Sequence, residues 1–531
     1  MHLSLPFFRP VNVPACGSAM RTAMLLLLLT VVGFGCATKP HPLTDAENLS
    51  RVTQDRAMLF SGQEPLDGPL TLSEAISRAL LYNYDSRVAM LESVLQEQNL
   101  DLAGWDMLPQ VAANAGWTIR NNELAAESIS YETRRESLEA SVSQEPSRVT
   151  ADLSLTWSIL DFGVSYFQAK QQADRYLIAL ERRRHVVNNI VKDVIYLYWR
   201  ALTAEKLLPV IEETLAHAEE ALAMYEEIER QQLEPVIYTL EQKKALIKIT
   251  ASLKQLHHEL NVAKLQLAAL ANLPMDQPYV VAVPDSAALT PPELDVAIEE
   301  LETLGLFYRP DIREQVYQQR IDRNGVYVEM VRMFPNLSLT GSANYDSNKY
   351  YVHNFWLAAG ARVAADLISI LEGPFRIEAA ETLVEVDELK RLALTVAAIV
   401  QINVSYHQYL QAYDAFSDAR ELNEIEQQIL DAVAAAWTLD AAPGLEHIRR
   451  STSAILTQLE SDVKLAEVYK ALSNLHFSIG NDLFDGSLAD TNPDQLAQQV
   501  DASLAELYSG RLPELPVVDA SALQDSEESA Q

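Results

Sequence analysis

Few residues of this 531-residue chain are spaced for chemistry. His257 and His258 are adjacent, and adjacent residues on a helix do not share a face, so they do not form a chelate. The chain has no glycine-rich phosphate loop, no HExxH and no GxSxG, so phosphoryl transfer, zinc hydrolysis and serine acyl transfer lack a nucleus. Arg182 to Arg184 reads as a solvated, charged helix face. Of the two cysteines, Cys16 and Cys36, the second follows the small residue Gly35 at the end of an apolar run, a place for modification rather than pairing. The expectation is a protein that is not an enzyme and uses no cofactor and no metal. A net charge of −33 argues against nucleic acid as a partner, because phosphate backbones require a basic surface.

The N-terminus gives that cysteine a setting. Residues 1–35 read as a secretory signal, with Arg21, an apolar run from Ala23 to Phe34 and then small residues, too short to span a membrane as a helix. Met20 is a second candidate start, since the residues before it fit a signal poorly. Gly35-Cys36 resembles the bacterial lipoprotein signal, in which the cysteine is acylated, palmitate included, and becomes the mature N-terminus. Gly33 departs from the leucine usual there, while Ala37 resembles the pattern sent to the outer membrane. Loss of Cys16 with the signal leaves no disulfide.

The elements behind these residues come in two copies. Tyr82, Asp85, Arg87, Met107 and Pro109 match Tyr308, Asp311, Arg313, Met333 and Pro335 at one offset of 226 residues, with no gap. In each copy a helix-like segment runs into its proline, which disfavours further helix and is tolerated at the first residue of a strand. Pro109 and Pro335 are therefore read as helix-to-strand junctions. Four segments of clean alternation follow, two per copy, about 110–120, 151–161, 336–346 and 355–366. Their length fits a membrane β-strand, and their polar phase is small and hydroxylic, as a wet barrel lumen prefers. Trp117, Trp157, Tyr345, Phe355 and Trp356 are candidate membrane-interface aromatics. Gly163 and Gly373 are read as strand-to-helix junctions, opening helical patterns that run 72 and 71 residues to Pro235 and Gly444. Helices of roughly 100 Å do not pack into a globule and must project as hairpins.

A sheet of four strands cannot close in lipid, where each unpaired backbone group costs several kcal/mol, so strands placed in the membrane require at least two copies to pool them. The order from LTLSEAISRAL through Pro109, LDFG, FYRPDI and Pro335 to LEG resembles the outer-membrane efflux proteins, the TolC-like family, over about residues 70–480. The fold class implied is mainly α with a membrane β part. The resemblance implies a homotrimer whose twelve-stranded barrel continues into a periplasmic α-helical barrel, and the lipid-anchored branch of the family, in the outer membrane, is the most similar. The partners implied are a periplasmic adaptor (membrane fusion) protein and an inner-membrane pump or ABC exporter, with the channel conducting passively. A type I protein or polysaccharide secretion conduit remains an alternative, as does a periplasmic helical-hairpin protein with no barrel. By the same resemblance Glu234, Pro235, Pro443 and Gly444 mark the periplasmic tip turns, and Asp431 and Asp440 are candidate pore-entrance acids. Two departures stand out: Asn83 precedes Tyr84 rather than proline, and neither tip keeps the family's Arg-x-x-x-Gly turn.

The expected boundaries are a signal at 1–35, a lipidated segment at 36–69 and a first repeat at 70–280 with its helical hairpin about 164–272. An equatorial linker follows at 281–309, then a second repeat at 310–485 with its hairpin about 374–480, and an acidic, largely disordered tail at 486–531.

Overall fold

The computed structural model describes residues 40–516, apart from 67, 137–138, 276, 285–289, 439–443 and 483–492. It divides into two units, residues 1–63 and 64–531. In the first, α1 (Asp45–Met58) opens on a capping box in which Thr44 and Glu47 satisfy each other's backbone N–H groups. No residue of α1 is buried.

The second unit is the duplication in three dimensions. The first copy is α2 (Leu72–Tyr82), α3 (Tyr84–Trp105), β1 (Gln110–Ile119), a short hairpin of β2 (Ala125–Ala126) and β3 (Ser141–Val142), then β4 (Ser147–Ser158), α4 (Ile159–Gln231) and α5 (Val236–Leu270). The second is α6 (Ile298–Tyr308), α7 (Pro310–Arg332), β5 (Asn336–Asp346), β6 (Phe355–Ala364), α8 (Leu367–Thr438) and α9 (Gly444–Ser478). The offset of 226 carries the bounds of α2 onto those of α6, and Gln110 onto Asn336. Lengths repeat as well: α4 has 73 residues and α8 has 72, while α5 and α9 have 35 each. Helix α6 lies inside the expected linker, so by element order the second repeat begins near residue 298. A final helix, α10 (Pro493–Tyr508), follows.

Two junctions differ from expectation. Strand β4 ends at Ser158 because that hydroxyl accepts from the Asp161 N–H at 3.0 Å and caps α4, so Gly163 lies inside the helix. Asp366 does the same for α8, accepting from the Ile368 N–H at 3.0 Å, which leaves Gly373 inside as well. The glycines serve close approach instead. A Cβ at Gly163 would stand 3.1 Å from Val331, and one at Gly373 would stand 2.5 Å from Met333. Each long helix thus passes tightly beside the end of α7.

The core forms where α2, α6 and α10 pack against the middle of α4 and α8 and the end of α9. Trp199 of α4 stacks on Tyr469 of α9 at 4.8 Å and 5°, and Tyr508 of α10 meets Tyr469 edge-on. The expected disorder of the tail is therefore corrected over residues 493–508. Leu496, Val500, Leu504 and Leu507 recur at helical spacing and are all buried, and this apolar face outweighs the acidity of the surrounding residues. Leu496→Ala is expected to cost about 2–4 kcal/mol through the cavity it leaves. The check is chemical unfolding of the full chain, and a loss below about 1 kcal/mol contradicts the packing described.

Candidate channel-forming surface

The four long strands form one antiparallel sheet in the order β1-β4-β5-β6. Cross-strand partners face the same side, and the register pairs odd with odd throughout: Val111 with Leu155, Leu155 with Gly341, Gly341 with Ala359. One face therefore carries Val111, Leu153, Leu155, Leu337, Leu339, Leu357 and Val363, all well exposed. Trp117, Tyr345 and Phe355 share it near the loop end, with Tyr345 directly opposite Phe355. Trp157 lies on it near the helix end, six residues along β4 from Ala151, the partner of Tyr345. The aromatics thus stand at two levels roughly 20 Å apart along the strand. Trp356 is a correction. It pairs with Asn344, which pairs with Asp152, so it belongs to the opposite, polar face.

That polar face holds Asn114, whose Nδ2 donates to Asp152 Oδ2 at 2.9 Å, with Ser154, Thr340, Ser342 and Arg362 in neighbouring rows. Its loop end is pinned. Arg148 meets Asp346 at 3.2 Å, and Asp346 Oδ1 accepts from the Asn348 N–H at 2.9 Å. Asn348 in turn donates to the Ser143 carbonyl, and Lys349 pairs with Glu145 at 3.2 Å, tying the two strand-connecting loops together. The Lys349 backbone N–H holds the Glu145 carboxyl below its ordinary range; desolvation opposes it, and the Lys349 ammonium adds to the lowering.

Below the sheet the helices keep the strand order. Because α3 enters β1, β4 enters α4, α7 enters β5 and β6 enters α8, the packed layer runs α3-α4-α7-α8. Ion pairs fasten its interior: Asp174 of α4 with Arg320 of α7 at 2.7 Å, and Glu181 of α4 with Arg313 of α7 at 3.4 Å. Burial raises both carboxyls despite these partners. Between α7 and α8, Asp322 is pushed up to about 6, first by burial and then by its hydrogen bond with Asp387, which Lys390 also engages at 2.8 Å. The FYRPDI stretch has a mechanical role, since Arg309 donates to the Ser478 carbonyl at 3.1 Å and to Gln401 at 3.0 Å while pairing with Asp311. The arginine run is not one solvated face. Arg182 reaches Glu314 of α7 at 2.6 Å, and the partly buried Arg184 reaches Asp482 at 2.6 Å.

Both layers are open on the same two sides. One flank is β1 with α3, where Val88, Leu91, Leu95 and Leu102 are each more than half exposed, at intervals of three, four and seven residues. The other is β6 with α8, where Phe375, Leu389, Val396 and Val400 are equally exposed. At the far end Glu234 and Pro235 sit exposed in the turn from α4 to α5, and Gln232 adopts a left-handed conformation at φ 56°, a role glycine usually takes. Asp431 is exposed on α8. Gly444 begins α9, while Cys36, Asp440 and Pro443 lie outside the described residues. Among the described residues no helix is long and apolar enough to cross a membrane, and no group of three or more His, Cys, Asp or Glu residues could hold a metal ion.

An open four-stranded sheet continued by a long helical layer, built from a duplicated unit, is the subunit fold of the TolC-like outer-membrane channels. Residues 75–272, within the first repeat, match the family model described as outer membrane efflux protein. Solved structures agree across both repeats. The Campylobacter jejuni CmeC outer membrane channel aligns over 85% of this chain and 94% of its own, at 12% identity and TM-score 0.61. The outer membrane protein VceC of Vibrio cholerae aligns over 77% and 96%, at 14% and 0.55. The open state of the Neisseria gonorrhoeae MtrE outer membrane channel aligns over 76% and 89%, at 18% and 0.53. No curated protein matches the chain.

Proposed function

We propose that three copies join flank to flank, β1 and α3 of one against β6 and α8 of the next, as the outer-membrane channel of a tripartite efflux system. The carrying observation is that sheet and helical layer are open on the same two sides. A head-to-tail contact of that kind closes a ring and leaves no strand edge in lipid. The apolar face then meets lipid, with Trp117, Tyr345 and Phe355 near one interface and Trp157 near the other, and the polar face lines the passage. The chain supplies a path and no energy. An inner-membrane pump drives substrate through a periplasmic adaptor that meets the tips around Glu234, Pro235, Pro443 and Gly444, where Asp431 and Asp440 would bias the entrance towards cations. The test is native mass and single-channel conductance of the detergent-extracted protein. A trimer that conducts is expected, and a monomer released without detergent would sink the reading.

Cys36 is the proposed lipid attachment. Cys36→Ser is expected to abolish incorporation of labelled palmitate while leaving conductance intact, because the barrel alone suffices for insertion. Labelling that persists in the variant removes the anchor assignment.

A further inference from the structure

The far ends of the two hairpins meet at a seam inside one subunit. Its last apolar contact joins Ala218 of α4, Leu246 of α5 and Ile448 of α9, all buried. The residues preceding two of these, His217 and His447, line one cleft of about 550 Å³ beside that contact. Helix α4 also presents Lys206 and Glu213 to the cleft, whereas α8 presents only the uncharged Gln427 and Leu430. On its own helix His447 is flanked by Glu446 and by Arg450, and Arg450 pairs with Glu446 at 3.0 Å and Glu426 of α8 at 3.6 Å. Arg449 lies beside Tyr225 of α4.

We propose that this cleft is an acid-sensitive latch, in which protonation of His217 and His447 separates the start of α9 from α4 and loosens one hairpin from the other. The inference rests on the channel reading for its consequence, a wider periplasmic mouth, but not for its chemistry. With both imidazoles neutral the cleft holds one cation, Lys206, and the carboxylate of Glu213, and Lys206 also faces Asp462 of α9. With both charged, three cations share a partly desolvated space with Glu213 and with Asp462, which Lys206 already faces, and the apolar contacts of Ile448 and Ile455 with α4 oppose their repulsion. Burial, and then the His217 charge, holds the His447 imidazole below its ordinary range, while Glu213 opposes this. A base whose folded pKa is lowered weakens the closed form as pH falls through its free value, about 6.5.

The experiment is hydrogen exchange on the full-length protein at about pH 7.5 and about pH 5.5, corrected for intrinsic rates, following the amides of residues 446–458. Protection is expected to fall about tenfold in the wild type and less than about twofold in the His217→Gln, His447→Gln double variant. His447→Lys, which fixes the charge, should be poorly protected at both pH values. An equal fall in the double variant, or no fall in the wild type, overturns the latch. Native mass and conductance at about pH 7.5, measured alongside, separate the two readings. A conducting trimer with flat protection sinks only the latch, and a monomer with the expected pH dependence sinks only the channel.

Discussion

Leu153→Arg is expected to remove the assembled protein from the outer membrane, whereas Ser154→Arg, one residue along, is expected to leave it there with altered ion preference. Leu153 sits at the middle of β4 on the apolar face, opposite Ala113 on one side and Ala343 on the other. Ser154 sits on the polar face, opposite Ala112 and Ser342. A charge at mid-depth on the lipid side of a barrel costs about 2–4 kcal/mol. Three copies repeat that cost, about 6–12 kcal/mol for the ring, which rivals the whole stability of an ordinary domain. The lumen side is wet, so a cation there keeps its hydration and shifts selectivity towards anions. Membrane fractionation gives the first outcome and reversal potential in a salt gradient gives the second. If both arginines are tolerated, the strands do not meet lipid; if the outcomes are exchanged, the sheet is inside out.

That contrast rests on a feature the chain states openly. Period-two alternation over ten residues leaves little choice of face, and the duplicated Met107 to Pro109 and Met333 to Pro335 junctions set where the strands begin. The four strands and the near-equal helix lengths were legible for the same reason, since a repeat constrains both copies. Helix starts were less legible, because two signals competed. Gly163 and Gly373 read as breaks, but the caps at Ser158 and Asp366 act earlier, and the glycines answer to Val331 and Met333 on another helix. Trp356 is instructive in another way: two neighbouring aromatics on a strand must face opposite sides, so Phe355 and Trp356 could not both meet one interface. The tail misled because charge was counted over the whole segment, while Leu496, Val500, Leu504 and Leu507 lie on one stripe. The arginine run concealed its partners, Glu314 and Asp482, because they lie 132 and 298 residues away in sequence.

The lateral flank of α8 carries the second large expectation. Leu389→Glu with Val396→Glu should dissociate the assembly while leaving the single chain folded. Both side chains are more than half exposed in the isolated subunit, 67% and 63%, so the exchange removes almost no contact within it. Surface changes of that kind usually stay within about 0.5 kcal/mol. In the proposed ring the same stripe is covered by Leu91 and Leu95 of the neighbouring copy, and each aliphatic side chain so buried contributes about 1.5–3 kcal/mol. Losing two of them weakens each seam by at least about 3 kcal/mol, or more than about a hundredfold in its dissociation constant, before the cost of burying carboxylates. Native mass spectrometry in detergent should show monomer in place of trimer, with far-ultraviolet dichroism unchanged. Tyr409→Ala separates this from a general loss of fold. Tyr409 lies on α8 but is 1% exposed, its hydroxyl donating to the Pro292 carbonyl, so its removal should lower stability with the seam intact. A trimer that survives both glutamates would place the subunit contact elsewhere than on the flank that α8 shares with the open edge of β6.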